Sequence, residues 1–297
     1  MVLYSLLTSH YPIYTAYLTS NYVNVIGFLL VIIFSIQFIT GILLSVYYSD
    51  FFTIAYDSII HIIISINGGW FIRLWHVIGA SFFILLLTLH FIRNSWVRIK
   101  SINTRFTCHV IVLSGYLLFI VCLIEGFIGY LLCWGQMSYR GITVMISLCS
   151  VLPWIGIIIG ELIWNAAWTI LNRIFLFHFI MGFLIVLLII IHIILLHSLT
   201  SSNPFNNNNS LIISFSPIIF KDVFISFLLV VIISIFLYYE PDIIGSSDNQ
   251  IIANPLITPN NILPEWYFLI WYSILRCYPS KTVGVMFVVV LLMSLLY

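Results

Sequence analysis

Long apolar runs constrain this chain more than any other feature. Val25–Val46, Phe82–Ile92 and Phe175–Leu196 reach or approach the roughly 20 residues that carry a helix across a bilayer core. A soluble domain uses about 25% charged residues to coat itself against water. Here 6% of residues are charged and 63% hydrophobic, and the mean hydropathy is +1.19, so the surface has to face lipid. In lipid every backbone N–H and C=O must be bonded within the protein, and a helix does this segment by segment. The expected fold class is an all-α integral membrane bundle.

Six spanning helices are predicted: Val25–Tyr47, Gly69–Arg93, Phe106–Leu132, Ile170–His197, Asp222–Tyr239 and Thr282–Tyr297. The stretch Gln136–Ala167 is broken by Pro153, Gly156 and Gly160, and is read as short helices at the interface. Asn203–Ser210 is an Asn-rich loop, and Pro241–Pro264 is a long connection outside the bilayer. This divides the chain into a four-helix membrane bundle over 1–200, with interfacial helices around 136–167, and a C-terminal part over 201–297 with two further spans. The loop after the second helix carries Arg93, Arg98, Lys100 and Arg105 without an acid, which assigns it, and the N-terminus, to the inner side. Asp50, Asp57, Arg140, Arg173 and Pro241–Pro279 then lie outside.

A net charge of +1 gives no footprint for nucleic acid. The cysteines, Cys108, Cys122, Cys133, Cys149 and Cys277, show neither zinc-ribbon spacing nor a CxxCH motif, and read as small buried hydrophobes. Met1–Asn24 lacks the basic start of a signal peptide and the Arg/Ser character of a transit peptide. A very apolar chain of this kind suits synthesis inside a mitochondrion and residence in its inner membrane, with a bacterial plasma membrane as the alternative.

Four of the eight histidines form a pattern. His76 and His90 lie fourteen apart on the second predicted helix, and His178 and His192 fourteen apart on the fourth. Fourteen steps return to within roughly 40° of the same helix face after about 21 Å of rise. The two helices run in the same direction, so His76 and His178 are level near the outer side, and His90 and His192 near the inner side. Ionisable groups inside a span need a reason. One imidazole from each side suits the two axial positions of a planar haem iron, twice over, whereas zinc asks for about four clustered ligands.

Glycines repeat the interval. Gly27 and Gly41 on the first helix, and Gly115 and Gly129 on the third, are also fourteen apart. Those helices run the opposite way, which puts Gly27 and Gly115 at the inner level and Gly41 and Gly129 at the outer. A missing side chain there lets a haem edge meet the backbone. Arg73 lies three residues before His76 and Arg93 three after His90, placed for a haem propionate at either rim.

With GWFIRLWH (Gly69–His76), GYLLCWGQMSYRG (Gly129–Gly141) and PEWY (Pro264–Tyr267) added, the chain from Val25 onward resembles cytochrome b of the respiratory bc complex. The resemblance implies a bundle with two stacked, non-covalent b haems between the second and fourth helices. The low-potential haem would take His76 and His178, and the high-potential haem His90 and His192. It implies ubiquinol oxidation at an outer site between PEWY and the helix around Gly141. Glu265 there accepts a proton, with Pro264 and Tyr272 in the same pocket. Ubiquinone reduction would fall to an inner site with His197, Ser201 and Asp222, and Lys221 beside it. A Rieske iron–sulfur protein, a cytochrome c1-type subunit, other bc-complex subunits and a dimeric complex follow as partners, together with proton translocation. The alternative is a non-catalytic di-haem b anchor of a dehydrogenase, which has no outer quinol pocket. Fourteen-residue spacing in both histidine pairs, with PEWY on the same chain, favours the respiratory type over the chloroplast type.

Several positions depart from the pattern. The family continues for two further spanning helices, and a chain ending in LLMSLLY is read as shortened. Cys133 stands where the family has Pro, and Arg140 where it has an aromatic beside Gly141, which brings a charge toward the quinol pocket. Glu125, one turn before Gly129, is expected to face the outer haem, and burial there favours its neutral form.

Overall fold

A computed structural model describes residues 15–17, 22–100, 106–152, 154, 156–158, 169–198, 212–214 and 216–296. Its helices are α1 (Ile26–Ser45), α2 (Ala55–Ile64), α3 (Gly69–Lys100), α4 (Phe106–Leu131), α5 (Gln136–Cys149), α6 (Ile170–Ser198), α7 (Ser216–Tyr239), α8 (Leu269–Cys277) and α9 (Lys281–Ser294). Short 3-10 turns occupy Tyr22–Val25, Ser247–Gln250 and Trp266–Phe268. Among the described residues the helices are joined by a pair of three-residue antiparallel strands, Thr15–Tyr17 and Ile212–Ser214, with Thr15 opposite Ser214, and by an isolated bridge between Gly135 and Ile252.

Among the described residues, five helices are long and apolar enough to cross a membrane: α1, α3, α4, α6 and α7. The sixth expected span, α9, is helical for 14 residues, about 21 Å of rise against a core of about 30 Å. The 32 residues of α3 rise about 48 Å, so this helix outruns the bilayer core and carries the basic segment beyond it. The start of α7 lies at Ser216, earlier than expected, because Pro217 fits the first turn of a helix, where its missing N–H costs nothing. Two helices were not foreseen, α2 and α8. In α2, Ala55 and Ile62, seven residues apart, bury one face, while Asp57 sits in the first turn, where the helix dipole favours an acid. The short helix α5 ends at Cys149, before the expected breaks; Pro153 and Gly160 lie outside the described residues.

Polarity is inverted relative to a soluble protein. Leu187, Ile194, Phe227 and Val290 stand exposed, whereas Thr40, Ser81 and Ser226 are buried. Exposed apolar faces of this extent belong against lipid, and buried small polar residues let helices approach. The bundle rests on two close pairs, α1 against α3 and α4 against α6, joined along α3 and α4. Against the outer side of α3, α7 adds a third layer through Ile33, Trp75, Ile78, Ile233 and Leu237. Among the described residues α3 and α6 make few close backbone approaches, and side chains occupy the space between the two pairs, with Ile84 of α3 and Ile185 of α6 buried in one cluster with residues of α4.

At the outer end the chain turns from α4 into α5 through Trp134, whose φ of 50° is rare for a residue with a side chain. The long connection after α7 is stitched onto this corner. Gln136 N–H donates to Ile251 O (2.8 Å), Ala253 N–H to Trp134 O (3.2 Å), and Ser138 N–H to Asn249 Oδ1 (2.9 Å). Asn254 N–H donates to Gln136 Oε1 at 2.6 Å, and Tyr48 Oη–H holds Leu132 O at 2.9 Å. At Gly135 the two strands of chain nearly touch: an added Cβ would lie 2.2 Å from Asn249 O. Gly135→Ala is therefore expected to prise the connection from the corner at a cost of about 1–3 kcal/mol. Faster proteolysis within residues 248–257 of the membrane-embedded protein is the readout, and an unchanged cleavage rate would refute the tight approach.

Candidate functional site

The histidines meet between α3 and α6. The rings of His76 and His178 have centroids 6.3 Å apart and planes at 87°. Two imidazole nitrogens each about 2 Å from a shared metal, with ring centres about 1 Å further back, put centroids roughly 6 Å apart. The spacing fits a group inserted between the rings. The same distance and the 87° tilt also lie within the range of an edge-to-face ring pair, so the spacing accommodates the group without demanding it.

The hydrogen bonds decide which nitrogen keeps its lone pair. Thr40 Oγ1 spends its one hydrogen on its own helix, at Ile36 O (2.7 Å) and Gln37 O (3.1 Å), so it accepts from His76 Nδ1–H at 3.0 Å. Ser114 likewise donates to Ile111 O (2.8 Å) and accepts from His192 Nδ1–H at 2.8 Å. In both rings the proton sits on Nδ1, and Nε2 keeps the lone pair that a metal needs. Thr40 and Ser114 were not among the expected site residues. A signal for them existed, since each is the hydroxyl residue directly before a glycine of the fourteen-residue repeat.

Each of those glycines lies against an imidazole. An added Cβ would come 3.5 Å from His90 Cε1 at Gly27, 3.1 Å from His76 Cε1 at Gly41, 3.1 Å from His192 Cε1 at Gly115 and 2.7 Å from His178 Cε1 at Gly129. The inner and outer levels pair as expected. The reason differs from the expected one, because the space holds the histidine ring itself. Gly79 does the same for Gln37, whose Nε2 donates to Trp75 O at 3.1 Å.

The inner pair is less fully prepared. His90 Nε2 accepts from Asn94 Nδ2 at 3.1 Å, while its Nδ1 is buried without a partner. At the outer pair, His178 Nδ1 lies 3.0 Å from Glu125 Oε1, with side-chain exposures of 21% and 18%. The distance is that of an ion pair, but the ring N–H is not aligned for a hydrogen bond, and His178 Nδ1 and Glu125 Oε2 have no hydrogen-bond partner. Distance is the firmer quantity, since a small ring rotation restores alignment. Glu125 thus faces His178 of the outer pair.

The rims are occupied by protein groups. Arg73 Nη2 donates to Cys133 Sγ at 3.2 Å, and Arg93 donates to Asn24 Oδ1. Cys122 is buried, Cys133 and Cys149 half-buried and Cys277 exposed, so the expectation of small buried hydrophobes holds for the first alone. Arg140, expected to charge the quinol pocket, instead holds the connection: its Nη2 donates to Pro255 O (3.2 Å) and Ile257 O (2.6 Å).

PEWY lies beside the outer end of α4. Glu265 opens the 3-10 turn Trp266–Phe268, and its backbone O accepts from Phe268 N–H at 2.8 Å, but its side chain caps nothing. Burial pushes its carboxyl up to about 7. Tyr267 is raised too, first by burial and then by the neighbouring Glu265 and Cys133. Phe127 of α4 bridges the two expected halves of the outer site, meeting Phe268 edge-on at 5.6 Å and lying 3.9 Å from a Cβ built on Gly141. Tyr272 sits on α8 with Arg276 over its ring at 5.6 Å. At the other end, Lys221 Nζ approaches Asp222 Oδ1 at 3.7 Å in the early turns of α7, and His197 lies in the last turn of α6. Ser201 lies outside the described residues.

A lipid-facing helical bundle with paired histidines at two levels between its helices is the architecture of a multi-pass membrane protein built around non-covalent prosthetic groups. Residues 13–200 match the family described as cytochrome b/b6/petB, and residues 252–297 match cytochrome b(C-terminal)/b6/petD. This chain belongs to the cytochrome b family. It is 41% identical over 275 residues to the cytochrome b of Albinaria caerulea, covering 91% of this chain and 73% of that one. It is 38% identical over 288 residues to that of Phytophthora megasperma, covering 95% and 74%. Among solved structures it matches a "Hyperthermophilic respiratory Complex III" with a TM-score of 0.85 at 26% identity, over 99% of this chain and 78% of the other. Haem b binding follows from membership of the family.

The four glycine contacts predict a graded series. Gly129→Ala, at 2.7 Å, displaces the His178 ring; Gly41→Ala and Gly115→Ala, at 3.1 Å, press on theirs; Gly27→Ala, at 3.5 Å, is tolerated. Haem b retained per polypeptide in purified membranes should follow that order, and a Gly27→Ala loss equal to that of Gly129→Ala would contradict it.

Proposed function

We propose that this chain is the electron-transfer subunit of a quinol:cytochrome c oxidoreductase, oxidising ubiquinol at an outer site and reducing quinone at an inner site with net proton translocation. The observation that carries the reading is the His76–His178 pair, whose rings face each other between α3 and α6 with centroids 6.3 Å apart. His76 and His178 would hold the low-potential haem and His90 and His192 the high-potential one. When bound, the haems supply two one-electron stations at different depths. Residues 1–200 would form the haem-bearing unit and 201–297 the part that completes the outer site. Gly27, Gly41, Gly115 and Gly129 make room for the rings, and Arg73 and Arg93 stand at the rims to meet propionates.

Quinol oxidation releases two protons and two electrons, so the outer site needs a base. Glu265 is half-buried, caps no helix, and carries a pKa pushed up to about 7, close to where a general base works best. Pro264 and Gly141 shape that pocket, with Tyr272 alongside. At the inner end His197, Ser201 and Asp222, with Lys221 beside the acid, would supply protons to the reduced quinone. A di-haem anchor has no use for a half-buried, uncapping carboxyl at PEWY. The chain has neither an iron–sulfur motif nor a CxxCH motif, so a Rieske iron–sulfur protein and a cytochrome c1-type subunit would take the other electron, within a dimeric complex. The membrane would be the mitochondrial inner membrane or a bacterial plasma membrane.

Two measurements test this. In the assembled complex, His76→Leu or His178→Leu should remove one b haem from the redox difference spectrum and leave the other; loss of neither would end the haem assignment. As a base Glu265 must be ionised, so quinol oxidation should rise with pH through about 7 and flatten above it. Glu265→Gln should slow turnover by about 100-fold or more and abolish that rise. An unaltered pH profile in the Gln variant would remove Glu265 from the mechanism.

A further inference from the structure

We propose that Gln37 is a positioning residue for the outer haem site: its amide, seated at Gly79 and bonded to Trp75 O, fixes the rotation of α3 against α1 and with it the plane of the His76 ring. This rests on the reading of His76 as an axial ligand. Gln37, Thr40 and Gly41 are spaced to share one face of α1, as Trp75, His76 and Gly79 are on α3. The two helices run in opposite directions, so Gln37 meets Gly79 about one turn from where Gly41 meets His76. Each helix thus carries a notch that a polar side chain of the other fills. The His76 ring lies against Gly41, with Nδ1–H on Thr40 Oγ1 at 3.0 Å. The Gln37 amide lies against Gly79, and its Nε2 donates to Trp75 O at 3.1 Å. The nitrogen is the atom that faces Trp75, because a carbonyl oxygen only accepts.

One ring in one notch leaves α3 free to turn about its own axis. A second key pointing the other way removes that freedom. Trp75 O belongs to the peptide unit that enters His76, so the bond from Gln37 acts on the backbone that aims the ligand. A carbonyl has two lone pairs, so this bond adds to the helix's own rather than replacing it. On its other side Trp75 is buried in one cluster with Ile233 and Leu237 of α7. Groups that hold a ligand from behind set the orientation of its ring. The α4–α6 pair is not keyed in this way. Glu125 precedes Gly129 by four residues, as Gln37 precedes Gly41, but it leaves 3.8 Å to a Cβ built on Gly182.

The test is electron paramagnetic resonance of the ferric haems in the assembled wild-type complex and its variants. The low-spin signal of a bis-imidazole haem reports the angle between its two ring planes. The outer signal is the one that His76→Leu removes. Gly79→Ala evicts the amide, since a Cβ there would overlap Gln37 Nε2, and should shift the outer signal while the inner one keeps its position. Gln37→Met keeps an unbranched chain without a donor. It should shift the outer signal too, and speed release of the outer haem between about twofold and tenfold. In Gln37→Ala, adding Gly79→Ala should cause no further shift, as for two groups that act as one. Gly182→Ala is the control and should move neither signal. Shifts from Gln37→Ala and Gly79→Ala that simply add, or inner and outer signals that move together, would overturn the proposal and leave the ligand assignment standing. So would a Gly182→Ala shift as large as that of Gly79→Ala. Should Gly79→Ala fail to assemble, Gln37→Met decides alone, and an unmoved outer signal there overturns the proposal. A wild-type complex without two b haems would remove the ligand reading itself.

Discussion

Everything in this bundle depends on keeping imidazole rings between helices that would otherwise close. Helix pairs in lipid associate through close packing of small residues. Here α1 approaches α3, and α4 approaches α6, at glycines whose missing side chains are filled by the histidine rings. Each ring is thus clamped from behind by a neighbouring helix, and its Nδ1–H is directed backward, at Thr40 for His76 and at Ser114 for His192. In His76 and His192 those bonds leave the Nε2 lone pair unspent, whereas His90 Nε2 accepts from Asn94 Nδ2. The packing of α1 on α3 is therefore also the device that orients a ligand.

A second constraint operates at the outer end. A connection of more than twenty residues after α7 could wander, but side-chain and backbone hydrogen bonds from Gln136, Ser138 and Arg140 fix it against the α4–α5 corner. This delivers PEWY to the end of α4, where Phe268 packs on Phe127. Glu265 is consequently half-buried by tertiary contacts rather than by its own helix, and that partial burial raises its pKa into the range of proton transfer. Fixing a loop and tuning a carboxyl are here one physical event.

The scarcity of charge gives each charged group weight. Arg140 binds backbone carbonyls, Arg73 binds Cys133, and Lys221 neighbours Asp222. In a medium that screens poorly, such engagements decide which charges are left to act on the redox centres. Two of these residues, Cys133 and Arg140, are departures from the family pattern, and the contacts of both support the outer corner of the fold.

The sequence by itself determined the class of solvent, three of the spans to within two residues at each end and two more at one end, the two levels of histidine, and the glycines that match them. These are properties of composition and of helical periodicity, which act locally and repeat along the chain. The helices α2 and α8 escaped notice because each is short and stabilised by what it packs against. Thr40, Ser114 and the work of Arg140 escaped because a hydroxyl or a guanidinium has many local uses, and its partner is 36, 78 or more than 100 residues away. The tertiary structure alone decided that the glycines face imidazole rather than haem edge, that Glu265 caps nothing, and that Glu125 meets His178. Each of these is a contact between helices, and helix periodicity fixes which face a residue occupies but not which side chain arrives opposite it.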